Sequence, residues 1–188
     1  MLNWYFIASL VIIALVGFCG FDNFLLRKIE EMRRGFSPAV LHFFRAVSFT
    51  PFVIVVLFVA PAIAVAISLD IFSFAALALA CLLATGSAFI LKYIFRRVRP
   101  LGHKTYLGKI DSAFPSAHTA GSFAAAFTLA YFWPSYAPLF FAFATLVALS
   151  RMYLELHFFS DIAGGILLAY LLVVFTLDSQ IFILLGFE

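Results

Sequence analysis

Apolar runs of about 20 residues recur along this chain with only short polar stretches between them, and no other feature restricts its fold as strongly. A helix of that length crosses the hydrocarbon core of a bilayer, where every backbone polar group must be satisfied within the segment. Of the 188 residues, 65% are hydrophobic and 11% charged, with a mean hydropathy of +1.13. A soluble domain of this length needs more polar surface. Six crossings would use roughly 120 positions and leave only short connections. The expected architecture is all-α: a polytopic membrane protein of six transmembrane helices, with an interfacial amphipathic helix after the first, in one domain over residues 1–188.

The first span is expected from about Leu2 to Phe21. It lacks a basic leading segment and a small-residue cleavage site, and Phe18 before Cys19 spoils a lipoprotein-type signal, so the run is expected to stay attached. In "FDNFLLRKIEEMRRGF", Phe21, Leu25, Ile29, Met32 and Phe36 recur at helical spacing with charged residues on the other face. That pattern predicts an amphipathic helix over 22–36 lying in the interface, with a polar linker as the alternative. Ser37 can cap and Pro38 suits the first turn of a second span reaching about Ile67. The third begins at Asp70 and ends at "RRVRP", because proline disfavours helical geometry in the residue before it. A polar loop from Leu101 to Phe114 leads to the fourth, "PSAHTAGSFAAAFTLAYFW". "WPSYAP" turns into the fifth, running to about His157, and the sixth runs from near Ser160 and Asp161 to about Phe175. No internal repeat, low-complexity segment or second domain is evident.

Six crossings place the connections after spans one, three and five on one side of the bilayer. All twelve lysines and arginines fall there, with His103, His118, His157, Asp111 and Asp161, while the other side has little beyond Asp70, Asp178 and Glu188. A net charge of +3 beside hydrophobic helices fits anionic lipid headgroups better than nucleic acid. Cys19 and Cys81 sit in apolar runs without metal-binding spacing and read as packing residues.

Three segments of the basic side carry candidate chemistry. Lys92 and Arg99 are seven residues apart, about two helical turns, so both can project from one stripe, which Arg96 shares as a competitor. The alternative is a snorkelling anchor at the interface. In "PSAH", Ser116 and His118 open the fourth helix, where unpaired N–H groups and the positive end of the dipole favour an anion. A serine N-cap beside an interfacial histidine is the alternative. In "SRMYLELHFFSD", Arg151 offers a planar fork for phosphate oxygens, His157 a ring nitrogen, and Asp161, four positions on, a partner for the other nitrogen. Alternatively Arg151 pairs with Glu155 and Asp161 caps the sixth span.

"KYIFRRVRP", "PSAH" and "SRMYLELHFFSD" resemble, in order, the three signature motifs of the type 2 phosphatidic acid phosphatase superfamily: K-x6-R-P, P-S-G-H and S-R-x5-H-x3-D. The resemblance covers about 25 positions, with a helical core at about 70–175. It implies that His157 attacks phosphorus to form a phosphohistidine, that Asp161 orients it, and that His118 protonates the leaving oxygen and later activates water. It implies that Lys92, Arg99, Ser116 and Arg151, with backbone amides near Ala117 and His118, hold the non-bridging oxygens. Ala117 stands where the family has glycine, and its methyl can crowd a phosphate on the adjacent amides.

Phosphate-ester hydrolysis demands more than about 20 kcal/mol of barrier lowering, which positive groups and in-line positioning can largely supply. The nine carboxylates are scattered, with only Asp111, Glu155 and Asp161 near the motifs, so no metal and no cofactor are expected. A site at the bilayer surface suits a membrane lipid phosphate, and the family implies undecaprenyl pyrophosphate, phosphatidylglycerophosphate, phosphatidic acid or lipid A 1-phosphate. No obligate protein partner is evident. The basic segment from Arg27 to Arg34 suits either a second headgroup charge or general attraction to anionic lipid. The positive-inside rule puts the basic face in the cytoplasm, whereas the resemblance implies the outer face of a bacterial inner membrane, which is the expectation adopted. His103 reads as a solvated loop residue and His42 as interfacial or packed. A non-catalytic lipid-phosphate binding or transport protein is the competing class, although it has no need of two histidines with an aspartate partner.

Overall fold

Small residues at four-residue intervals decide how the helices pack. The computed structural model describes residues 20–49, 71–100 and 112–178, with isolated positions 4, 8, 9, 11, 12, 15, 59 and 63. Among these residues the regular elements are helical: α1 (Asp22–Arg34), α2 (Pro38–Val47), α3 (Ile71–Phe95), α4 (Ala117–Phe132), α5 (Ala137–Tyr153), entered through a 3₁₀ turn at Pro134–Tyr136, and α6 (Phe159–Asp178). In α3 the alanines at 76, 80, 84 and 88 form one fully buried stripe, while Leu82, Phe89, Ile90 and Ile94 are exposed. Small side chains let helix backbones approach closely, which is how helices associate where lipid is as apolar as the protein. The exposed leucine, isoleucine and phenylalanine then face hydrocarbon.

Helix α4 is the centre, packed against α3, α5 and α6. Its 16 residues span only about 24 Å, and Ala120, Ala124, Ala125 and Ala126 are fully buried. Gly121 lets it meet α3, since a Cβ there would lie 3.0 Å from the Thr85 hydroxyl. Phe123, Phe127, Phe141 and Tyr170 cluster around α4 with neighbouring ring centroids 5.2–6.4 Å apart. Cys81 is buried in this core, as its expected packing role requires.

Among the described residues α3, the Pro134–Tyr153 unit and α6 are each long and apolar enough to cross a bilayer. They coincide with the expected third, fifth and sixth spans, and α1 coincides with the amphipathic segment. Most of the expected first span, the second beyond residue 49, the 101–111 loop with His103 and Asp111, Cys19 and the tail past 178 lie outside the described residues. Three boundaries differ from expectation. Helix α3 stops at Phe95, just before the first residue of "RRVRP" rather than beside its proline, because Arg96 takes a left-handed φ of 45°. Helix α5 stops at Tyr153 rather than His157, and Glu155 follows with φ 54°. Helix α2 stops at Val47, and Ser37, although extended at the cap position, makes no side-chain cap hydrogen bond.

Candidate active site

The end of α3, the start of α4, the end of α5 and the start of α6 meet at one end of the bundle, where the Ser116 N–H reaches the Asp161 carbonyl and Arg97 reaches the Asp161 carboxylate. Lys92, in the last turn of α3, is buried and its Nζ donates to the carbonyl of Ser112. The helical stripe expected to join Lys92 to Arg99 is corrected: Arg99 arrives on the non-helical strand of chain after Phe95. Arg96 is exposed, with Nε donating to the Tyr93 carbonyl at 3.1 Å, so it does not compete with Lys92.

Ser116 is the N-cap of α4 and has no exposed surface. Its hydroxyl oxygen accepts from the Thr119 N–H at 3.4 Å and the Thr119 hydroxyl at 3.0 Å, and its own N–H donates to the Asp161 carbonyl at 3.1 Å. The serine therefore occupies the capping position. The tie to Asp161 sews α4 to α6, and the fit is tight: a Cβ on Gly165 would lie 2.9 Å from the Ser116 carbonyl oxygen. Ala117, also buried, and His118 follow in the first turn.

The turn after α5 brings the rest. Arg151 is buried, and its Nη1 donates to the Ser48 hydroxyl just past α2. Glu155 does not pair with Arg151; its carboxylate takes Arg33 of α1 at 2.6 Å. His157 is 2% exposed. Its Nδ1 lies 3.6 Å from Asp161 Oδ2, too far for the expected hydrogen bond. Asp161 is occupied elsewhere: Oδ2 accepts from the Phe158 N–H at 2.8 Å, a return bond from the third position of α6 to its cap, and Oδ1 takes Arg97 Nη1 at 2.6 Å. The structure thus shows Asp161 in the capping role, and beside His157 without the expected hydrogen bond.

Burial pushes the His157 imidazole well below its ordinary range, and Arg151, Arg99 and Lys92 push it further, against a smaller opposite pull from Ala113. His118 is electrostatically coupled to Arg151, His157, Arg99 and Lys92. Neutral imidazole inside a cationic rim is an arrangement that accepts an anion and can attack it. An apolar cavity of about 380 Å³ runs between α3 and α6, with Phe95, Phe114, Pro115 and Leu168 in its wall. Among the described residues no three His, Cys, Asp or Glu side chains converge as a metal site.

Sequence reasoning passed over Arg97 and Asp22. Arg97 Nη1 binds Asp161 and, at 2.5 Å, the Ser160 hydroxyl, and Nη2 binds Asp22 at 2.7 Å. The only local signal was a second arginine in an unassigned position of the first motif. Asp22 carries no local signal beyond being an acid in the first turn of α1, where the helix dipole favours it.

A sequence model of the PAP2 superfamily matches residues 73–181. Among solved structures the chain is similar to one described as the first transmembrane PAP2-type phosphatidylglycerolphosphate phosphatase, from Bacillus subtilis. The identity is 20%, the TM-score 0.66, and the match covers 93% of this chain and 95% of that one, so the likeness is one of fold. Curated protein sequences give no match.

Proposed function

The chain belongs to the PAP2 superfamily, and on that premise we propose that it is a membrane lipid phosphatase working through a phosphohistidine. The observation that carries this reading is the meeting of buried Lys92, Ser116, Arg151, His157 and Asp161 at one end of the bundle, although Lys92 and His157 are 65 positions apart; burial, with Arg151, Arg99 and Lys92, holds the His157 imidazole below its ordinary range. In the first step His157 attacks phosphorus as the bond to the lipid oxygen breaks, and His118 gives that oxygen its proton. In the second, His118 takes a proton from water, which attacks the phosphohistidine and releases inorganic phosphate. Lys92, Arg99 and Arg151, with the amides of Ala117 and His118, stabilise the equatorial oxygens. Ser116 fixes the helix that carries those amides. Asp161 Oδ2, held 3.6 Å from His157 Nδ1, balances the charge that the ring acquires. No step uses a metal or a cofactor.

The apolar cavity beside Phe114 and Pro115 supports a substrate whose hydrocarbon tail stays with the protein while its phosphate reaches His157. Undecaprenyl pyrophosphate, phosphatidylglycerophosphate, phosphatidic acid and lipid A 1-phosphate all have that form, and the site is assigned to the outer face of a bacterial inner membrane. The test is phosphate release from short-chain phosphatidic acid in detergent, with and without vanadate, for wild type and His157→Ala, followed by a panel of the four lipids. Vanadate-sensitive release that His157→Ala abolishes is expected. Release that survives the substitution removes the nucleophile, and no release from any lipid favours a binding or transport protein. Comparing right-side-out with inverted vesicles tests the sidedness.

A further inference from the structure

We infer that Asp22 and Arg97 are positioning residues of the reaction, acting through Asp161 on His157; the inference rests on His157 being the nucleophile. Asp22 lies on α1, upstream of the segment that matches the family, and its side chain is 3% exposed. Its carboxylate accepts from Arg97 Nη2 at 2.7 Å, from the Ser160 N–H at 3.0 Å and from the Ser160 hydroxyl. Arg97 then reaches Asp161 Oδ1 at 2.6 Å, while its guanidinium lies over the Phe158 ring at 4.4 Å. Its backbone is tied as well: the Arg97 N–H donates to the Ser112 hydroxyl at 2.9 Å and its carbonyl accepts from the Ala113 N–H at 2.7 Å. One planar fork thus spans two buried carboxylates from helices that are remote in sequence. A lysine, as a single point charge, cannot hold both in the same geometry.

Stability is a poor explanation for this triad. Burying three charges carries a desolvation cost that their attraction often fails to exceed, and apolar replacements are frequently neutral or better. What the triad does supply is a fixed carboxylate. With Oδ1 on Arg97 and Oδ2 on the Phe158 N–H, Asp161 cannot rotate away from His157, and the interfacial helix is locked to the turn that carries the nucleophile. Among the described residues, the charged and titratable groups on the elements around His157 are Lys92 from α3, Arg97 and Arg99 from the chain after it, His118 from α4, Arg151 from α5, Asp161 from α6 and Asp22 from α1, with the Arg33–Glu155 pair at the turn.

Asp22→Asn and Arg97→Gln, compared with wild type and His157→Ala in detergent, test the inference. Misplacement of a reacting group by about 1 Å costs about 100-fold, so kcat should fall about 10- to 100-fold in both variants, with KM within about twofold. The acid limb of kcat/KM should move in opposite directions. Losing Arg97 leaves Asp161 uncompensated and shifts the limb to higher pH, whereas losing the Asp22 charge shifts it lower. A merely structural tie would not produce opposed shifts. Folded variants with kcat within about threefold of wild type, or with losses unaccompanied by opposed shifts, overturn the inference. If neither variant folds, Ser160→Ala decides, since it removes only the hydroxyl between Asp22 and Arg97: a threefold or greater fall in kcat at an unchanged melting temperature supports positioning, and wild-type kcat refutes it. Release that survives His157→Ala would instead remove the nucleophile on which the inference rests.

Discussion

Gly165→Ala places one methyl group where α6 presses on the first turn of α4, and the structure sets the size of its effect. The new Cβ would lie 2.9 Å from the Ser116 carbonyl oxygen, 3.1 Å from Thr119 Cβ and 3.3 Å from the Ala120 nitrogen, whereas ordinary contact begins at 3.4 Å. None of these atoms is the end of a flexible side chain, so the start of α4 must retreat by about half an ångström. Overpacking of this kind costs about 1–3 kcal/mol. Alanine returns about 1 kcal/mol through its better helix propensity, leaving a net loss of about 0–2 kcal/mol. For a chain of this size that corresponds to a fall of up to about 8 °C in melting temperature. Activity should respond more sharply. Ser116 and the next two residues carry the amides and the imidazole proposed to face His157, and if 1 Å of misplacement costs about 100-fold, half that distance costs about tenfold in kcat. Gly86→Ala is the control, because nothing lies within 4 Å of its Cβ, and it should keep wild-type kcat. The measurements are thermal melting and phosphate release in the same detergent. Wild-type kcat and melting temperature for Gly165→Ala would mean that α4 and α6 do not approach this closely, and the geometry argued for the site would fail with it.

His157 is held below its ordinary range, so above pH about 6.5 it is neutral in both the folded and the unfolded chain. Below that value the unfolded chain takes up the proton first, so stability falls as the pH drops toward the folded value, and melting against pH should show a slope that is smaller in His157→Gln. Arg33→Gln strands a carboxylate whose side chain is 5% exposed, and because Arg33 itself is 38% exposed, a loss of about 1–2 kcal/mol is expected in thermal melting. The double variant with Glu155→Gln should recover most of it, and a loss equal to the sum of the singles would show that the pair is not coupled. Added chelator should leave phosphate release unchanged, and a loss that magnesium restores would overturn the metal-free mechanism.

The sequence alone determined the class of fold and the end of the molecule where the polar groups gather. Apolar runs long enough to cross a bilayer dictate helices, and the parity of the crossings places Lys92, His118, Arg151 and His157 on one side before any packing is known. Local spacing misled wherever a helix stopped early. Lys92 and Arg99 share a stripe, and Arg151 can pair with Glu155, only if the helical repeat continues between them; left-handed Arg96 and the turn after Tyr153 end it. Glu155 takes Arg33 instead, 122 residues away, and Arg97 takes Asp161 and Asp22 at separations of 64 and 75. Such pairings belong to the tertiary structure, because a buried carboxylate is satisfied by whichever cation the packed helices bring within 3 Å, and no periodicity in the chain encodes that choice.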